Sequence, residues 1–205
     1  ISQAVGARDA GAVARGVQRG ALLALFLTVV ASLLLLPSGP ILSALRQPED
    51  VVPVAAAYAW ASILGVYPFY GFVVVRQSLQ AMGKIRALLW TVATANVVNV
   101  FLNWILIYGN LGAPELGAVG SGWGTSLSRW FMMVMLMTVA WPLLRPSLRP
   151  LRRDVLQLAP LARLLRVGAP IGVQQSLEFG VFGAAGLLIG LMGTIPVASH
   201  QVALQ

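Results

Sequence analysis

Long apolar runs alternate with short polar ones along the chain. Five runs stand out, at residues 20–45, 51–75, 87–107, 116–144 and 167–191. Each meets the roughly 20 residues a helix needs to cross a ~30 Å hydrocarbon core. A sixth begins near residue 195. The runs are too long for strands, and in lipid every backbone polar group needs a partner inside the structure, so the pattern predicts membrane helices. Pro37, Pro53, Pro68, Pro142 and Pro170 fall within or beside the runs, where membrane helices tolerate them as kinks or ends.

Composition strengthens this picture. The chain is 58% hydrophobic and 10% charged, with a mean hydropathy of +0.82, whereas soluble domains carry about 25% charged residues. A 205-residue globule has no core large enough to hide so much apolar surface. The expected class is therefore all-α integral membrane. With no cysteine, a disulfide framework, thiolate metal sites and a cysteine nucleophile are excluded. The opening on Ile1 in a polar stretch, and the end inside a new apolar segment, suggest part of a longer membrane protein.

The net charge of +8 raises the question of nucleic acid, but the charges sit between the apolar runs and not on one face. No nucleic-acid partner is expected. The loops alternate in sign: +2 before the first run, −1 at 46–50, +3 at 76–86, −1 at 108–115 and +5 at 145–166. Basic loops stay in the cytoplasm, so residues 46–50 and 108–115 are expected outside. Residues 145–166 are long and rich in Arg, Pro and Leu. They read either as a surface helix on the anionic inner leaflet or as a linker between two bundles.

Polar groups at membrane depth carry the candidate chemistry. Asn96, Asn99 and Asn103 share one face of the third run. Such a stripe is either interhelical glue or the wall of a wetted cavity for a cation or polar substrate, and three in register favour the cavity. In the fourth run, Gly120, Gly124 and Ser128 recur every four residues, as do Gly117, Ser121 and Thr125. These ladders suit close backbone packing. Met132, Met133, Met135 and Met137 follow, suiting an adaptable binding surface or, more simply, a lipid-facing or core position. Arg129 and Glu178 both fall in the middle third of a span, where charges face a cavity or a partner. A mutual ion pair is the simplest structural alternative. Gln174, Gln175 and Glu178 form one polar patch, opposite a ladder of Gly172, Ser176, Gly180 and Ala184. A carboxylate ringed by amides at this depth reads as a cation or proton site.

Six motifs in order carry a resemblance: ISQAVGARD at 1–9, RQSLQAMGK at 76–84, NVVNVFLNWILIYG at 96–109, LGAVGSGWGTSLSRW at 116–130, RVGAPIGVQQSLEFGVFG at 166–183 and PVASHQVALQ at 196–205. The chain resembles the MATE family, multidrug and toxic compound extrusion transporters, over its whole length. The resemblance implies part of a twelve-helix, two-lobe bundle with inverted access between lobes. Residues 1–144 then match first-lobe helices three to six, 145–166 the cytoplasmic inter-lobe linker, and 167–205 helix seven with the beginning of helix eight. It implies a cation-coupled (Na⁺ or H⁺) antiporter of cationic or amphipathic drugs. Small-molecule drugs and the lipid bilayer are its expected partners. It is expected to work as a monomer, multi-pass in the bacterial inner membrane, without a cofactor beyond the transported ion. Glu178 matches the coupling Glu of helix seven, with Gln174 and Gln175 beside it. Asn99 and Asn103 match polar positions of the first-lobe cavity, to which Asn96, Thr125 and Arg129 are added. One branch has Asp where this chain has Asn103, which points away from a first-lobe proton site and toward the bacterial branch relying on the second-lobe Glu.

Three other readings compete. A lipid-linked oligosaccharide flippase of the same superfamily should line its cavity with many Arg and Lys for pyrophosphate, and here only Arg129 lies at depth. An intramembrane enzyme lacks support: His200 is the sole histidine, and Ser199 beside it cannot face it on a helix. A channel would need a filter segment, and none is visible.

Overall fold

The computed structural model describes residues 1–150 and 153–190. The segment beginning near residue 195, with the motif at 196–205, Ser199 and His200, lies outside the described residues. Among the described residues every regular element is helical. In order these are α1 (Ser2–Gly6), α2 (Ala10–Leu35), α3 (Ser38–Ala44), α4 (Val51–Ala81), α5 (Ile85–Tyr108), α6 (Gly117–Leu148) and α7 (Leu158–Gly190). Single 3₁₀ turns occupy Asn110–Gly112 and Arg153–Leu156.

Four of these helices, α2, α4, α5 and α6, are long and apolar enough to cross a membrane. The chain is thus a multi-pass, all-α membrane chain. Two expected runs are redrawn. The run at 20–45 is two helices. α2 starts ten residues earlier, where the Asp9 carboxylate accepts the Ala12 amide at 2.9 Å and caps the first turn. It stops before Pro37, which has no amide to continue the ladder. Residues 167–190 of the fifth run lie inside α7, a 33-residue helix, yet α7 is not among the four apolar enough to span. The cluster of Gln174, Gln175, Ser176 and Glu178 in its middle lowers its hydropathy.

The residues divide into two compact units. The first contains 1–36 and 57–157, hence α2, most of α4, α5 and α6. Its core is Phe72, Val75 and Leu79 of α4, Leu88 of α5, and Leu136, Ala140 and Leu144 of α6, with Met132, Met133 and Met137 packed against it. Three of the four α6 methionines, Met132, Met133 and Met137, thus pack against the core at this end.

Helix ends that the charge pattern assigns to one side of the membrane are joined. At the outer side, Trp60 Nε1 donates to the Leu36 carbonyl (3.2 Å) and the Leu116 amide to the Leu106 carbonyl (3.1 Å). At the inner side, Gln18 is buried and its amide nitrogen donates to the carbonyls of Ser147 and Pro150, each at 3.0 Å. Arg19 Nη2 donates to the Asp154 carbonyl at 3.0 Å. The segment after α6 is thus tied back to α2.

The second unit contains 37–56 and 158–205. Within it the Gln47 side-chain amide donates to the Leu187 carbonyl at 3.3 Å and lies against Gly190. The remaining length of α7 is exposed almost throughout.

Candidate functional site

α6 is built to be approached from two sides. Its residues 117–128, GAVGSGWGTSLS, hold only three large side chains, Val119, Trp123 and Leu127. On one side Gly120 and Gly124 meet α5. A Cβ at Gly120 would strike the Leu106 carbonyl, and one at Gly124 would strike the Asn103 side chain. On the other side Gly122 and Ser126 meet α4. A Cβ at Gly122 would come 3.1 Å from Tyr58 and 3.2 Å from Ala61, and Ser126 Oγ donates to the Ala61 carbonyl at 2.7 Å. Gly65 of α4 lies against Ser126 in turn. Trp130 Nε1 donates to the Leu64 carbonyl at 3.0 Å.

Of the two small-residue ladders, Gly120–Gly124–Ser128 faces α5, and the row used against α4 is Gly122–Ser126. At about 100° per residue, Gly122 and Ser126 lie opposite the α5-facing row. Thr125 falls between the two faces, away from exposed Trp123, Leu127, Trp130 and Val134. The large side chains mark the outward side, and the small or polar ones take the rest.

Between α5 and α6 runs a polar chain. Asn103 Nδ2 donates to Asn99 Oδ1 (3.1 Å), Asn99 Nδ2 to Ser128 Oγ (3.2 Å), and Ser128 Oγ to the Gly124 carbonyl (2.8 Å). One acceptor is left over: Asn103 Oδ1 is buried with no hydrogen-bond partner. Asn96 stands apart, exposed and without a hydrogen bond among the described residues. The stripe of three is therefore a bonded pair plus an outlier. The sequence reading missed Ser128 as the bridge, though its place in the small-residue ladder was visible.

Arg129 sits on the α4 side. Its stem passes Gly65, where a Cβ would come 3.2 Å from Arg129 Cδ, and its guanidinium lies 5.1 Å from the Phe69 ring centre. That is a cation–π distance. Within its unit, among the described residues, the half-buried guanidinium makes no hydrogen bond or ion pair. Thr125, also half-buried, makes none either. The residues grouped as one cavity thus belong to three places: Asn99 and Asn103 at the α5–α6 seam, Thr125 and Arg129 on the adjoining side, and Asn96 on an exposed surface.

The first unit also has an apolar hollow of about 200 Å³ between α2, α4 and α6, lined by Leu25, Thr28, Tyr67, Met133 and Met137 among others. No asparagine of the stripe lines it. In the second unit, Gln174, Gln175 and Glu178 share one exposed side of α7. The ladder opposite is open: a Cβ at Gly172 or Gly180 would meet nothing within 4 Å. Among the described residues no cluster of His, Cys, Asp and Glu has the makings of a metal site.

Comparison with known proteins bears on these residues. A family model described as MatE matches residues 1–105, half of the chain. The whole chain is 34% identical to a probable multidrug resistance protein NorM of Bradyrhizobium diazoefficiens, of which it covers 44%. It is 32% identical, again over its whole length, to one of Geobacillus kaustophilus, of which it covers 46%. Over 89% of its length it is 32% identical to one of Streptococcus pneumoniae, covering 41% of that protein. The chain spans less than half the length of these relatives.

Proposed function

The chain belongs to the MATE family, and from that premise we propose that it works in a cation-coupled antiporter that exports cationic or amphipathic drugs by alternating access. The observation that carries this reading is its likeness, from end to end, to proteins named as probable multidrug resistance proteins. In this reading it is a transporter and not an enzyme, resident in the bacterial inner membrane and active as a monomer. Residues 1–144 contribute to a first lobe, 145–166 link the lobes, and 167–205 open a second lobe of a twelve-helix bundle.

Glu178, with Gln174 and Gln175 beside it, is the coupling group for Na⁺ or H⁺. Coupling needs a group whose occupancy shifts the balance between outward and inward states. A carboxylate at membrane depth does this, because its charged form requires a cation or water and its neutral form does not. Asn99 and Asn103, with Thr125 and Arg129 on the adjoining side of α6, supply the polar part of the substrate cavity, and Asn96 extends it. The buried, unpartnered Asn103 Oδ1 supports that role, since such an oxygen is costly unless something donates to it.

The test is efflux by the intact protein in vesicles under an imposed Na⁺ or pH gradient. Glu178→Gln keeps the shape and removes the charge change. It is expected to fold and bind drug but not to move it against a gradient, while Glu178→Asp keeps partial activity. Full gradient-driven efflux by the Gln variant would refute the coupling role.

A further inference from the structure

The apolar hollow between α2, α4 and α6 continues into a second one. Ala21, Leu25 and Leu148 line both. The second, of about 370 Å³, is bounded further by Gln18, Leu22, Val155 and Leu156. Together they make an apolar trough beside α2 from Gln18 to Thr28, about 15 Å at 1.5 Å per residue. At its upper end Thr28 spends its hydroxyl on the Ala24 carbonyl at 2.7 Å. Leu, Val and Met side chains dominate the rest, so water finds few partners there, and apolar cavities of this kind stay dry.

The lower end of the trough is cationic. The charge pattern assigns this end to the cytoplasmic side. Arg19 donates from Nη2 to the Asp154 carbonyl at 3.0 Å, which sets its guanidinium beside Val155 at the rim. Its Nε is buried, so the group is held in place. Among the described residues that is its one hydrogen bond, and it has no ion pair. The Nη1 end of a five-donor fork is therefore unspent. Arg15, one turn earlier on α2, is already paired with Asp9 at 3.8 Å. Arg145, exposed on the last turn of α6, lies three residues before Leu148 and so on the same side of the helix.

From this setting we propose that the trough is a binding site for an anionic glycerophospholipid of the inner leaflet. One acyl chain fills the two hollows, and the phosphate takes the Arg19 guanidinium, with Arg145 adding charge. Guanidinium and phosphate form charge-assisted hydrogen bonds, and basic sites between helices on the cytoplasmic side suit anionic head groups. A free phosphate would leave the apolar trough empty, whereas a lipid fills it and satisfies the cation at once. Such a lipid would bridge α2, α6 and the segment after α6. The inference does not depend on the efflux reading; it needs only the membrane setting and the sidedness.

The experiment uses the intact protein, stripped of lipid in a neutral detergent. It is offered dioleoylphosphatidylglycerol, dioleoylphosphatidylcholine with the same chains, or inorganic phosphate alone. Retained lipid is counted by native mass spectrometry, and the rise in melting midpoint is followed in parallel. The expected result is tight retention of phosphatidylglycerol, weaker retention of phosphatidylcholine and no effect of phosphate. Arg19→Gln should bind phosphatidylglycerol about 10-fold more weakly, the size of one lost hydrogen bond to a charged group, and phosphatidylcholine as before. Arg19→Lys should keep most of the binding. Ala21→Phe, at an exposed position where the two hollows meet, should weaken both lipids. Arg86→Gln, an exposed cation on α5, which lines neither hollow, should change neither. If Arg19→Gln and Arg86→Gln act alike, the protein senses only bulk charge and the inference falls. It falls also if Ala21→Phe binds both lipids normally, which would mean that another part of the longer protein fills the trough. A phosphate effect equal to that of the lipid would make it an anion site and overturn the lipid assignment. Should Arg19→Gln not stay monodisperse, the Lys and Phe variants decide the matter by themselves.

Discussion

Gly120→Ala should loosen the α5–α6 seam, and its effect can be separated from helix propensity by a second glycine. A Cβ at Gly120 runs into the Leu106 carbonyl, a backbone atom that cannot rotate away. That same carbonyl accepts the Leu116 amide and closes the turn between α5 and α6. Over-filling a packed contact costs about 1–3 kcal/mol, and an immovable neighbour puts this case toward the upper end. Parting the helices also strains the Asn99–Ser128 bond, the one of that polar chain that crosses from α5 to α6, worth ~0.6 kcal/mol on average in membrane proteins. Against this stands the gain of about 1 kcal/mol for Ala over Gly within a helix. The net expectation is a loss of about 2–3 kcal/mol. Gly20 of α2 is the control: its Cβ would meet Val74 at 3.6 Å, an ordinary contact. Gly20→Ala should therefore be neutral or stabilising by up to ~1 kcal/mol. The assay is the denaturation midpoint of the two variants of the intact protein in detergent, followed by loss of the monodisperse peak on heating. If Gly120→Ala melts no lower than Gly20→Ala, the close approach of α6 to Leu106 is wrong.

Two further outcomes follow from the same seams. Ser126→Ala removes the bond to the Ala61 carbonyl and should cost about 0.6–1.7 kcal/mol in the same melt; Ser126→Val should cost more, because its methyls press on Gly65, and a Val variant as stable as Ala would contradict the α4 contact. For sidedness, the natural chain has no cysteine, so Cys at exposed Glu49 and exposed Arg149 report cleanly: an impermeant thiol reagent on intact cells should label position 49 and not 149, and the reverse would invert the topology.

Most of the first unit was legible because its signals are local. Apolar length announced four spans, and alternating loop charge announced antiparallel neighbours. What length could not mark is where a helix goes on outside the hydrocarbon. Capped by Asp9, α2 begins ten residues before its apolar run, and Arg15, Gln18 and Arg19 are simply its polar first turns. Nor could the sequence say which small-residue row faces which helix. With nine small residues among the twelve from 117 to 128, every row looks competent. The three large ones, Val119, Trp123 and Leu127, were the sharper signal, since they name the side that does not pack. α7 was the least legible element: the polar cluster that makes Glu178 a candidate is also what weakens its claim to be a span.

Membrane depth, a shared helical face and the family resemblance had put Asn96, Asn99, Asn103, Thr125 and Arg129 into one class, and the structure sorts them by a second criterion, whether their hydrogen-bonding capacity is already used. Asn99 is spent on Asn103 and Ser128, so its amide does the work of interhelical glue. Asn103 is half spent, with its oxygen buried and unpaired. Thr125 and Arg129 make no hydrogen bond within their unit among the described residues, and they share the side of α6 away from its exposed aromatic stripe. Leaving donors unmatched at membrane depth is unfavourable. A polar group that is already satisfied gains little from a ligand, whereas an unsatisfied one gains the most. On the proposed efflux reading, the residues with hydrogen-bonding capacity left within their unit, among the described residues, are Arg129, Thr125 and Asn96, then Asn103 and last Asn99, and not the regular stripe as a whole.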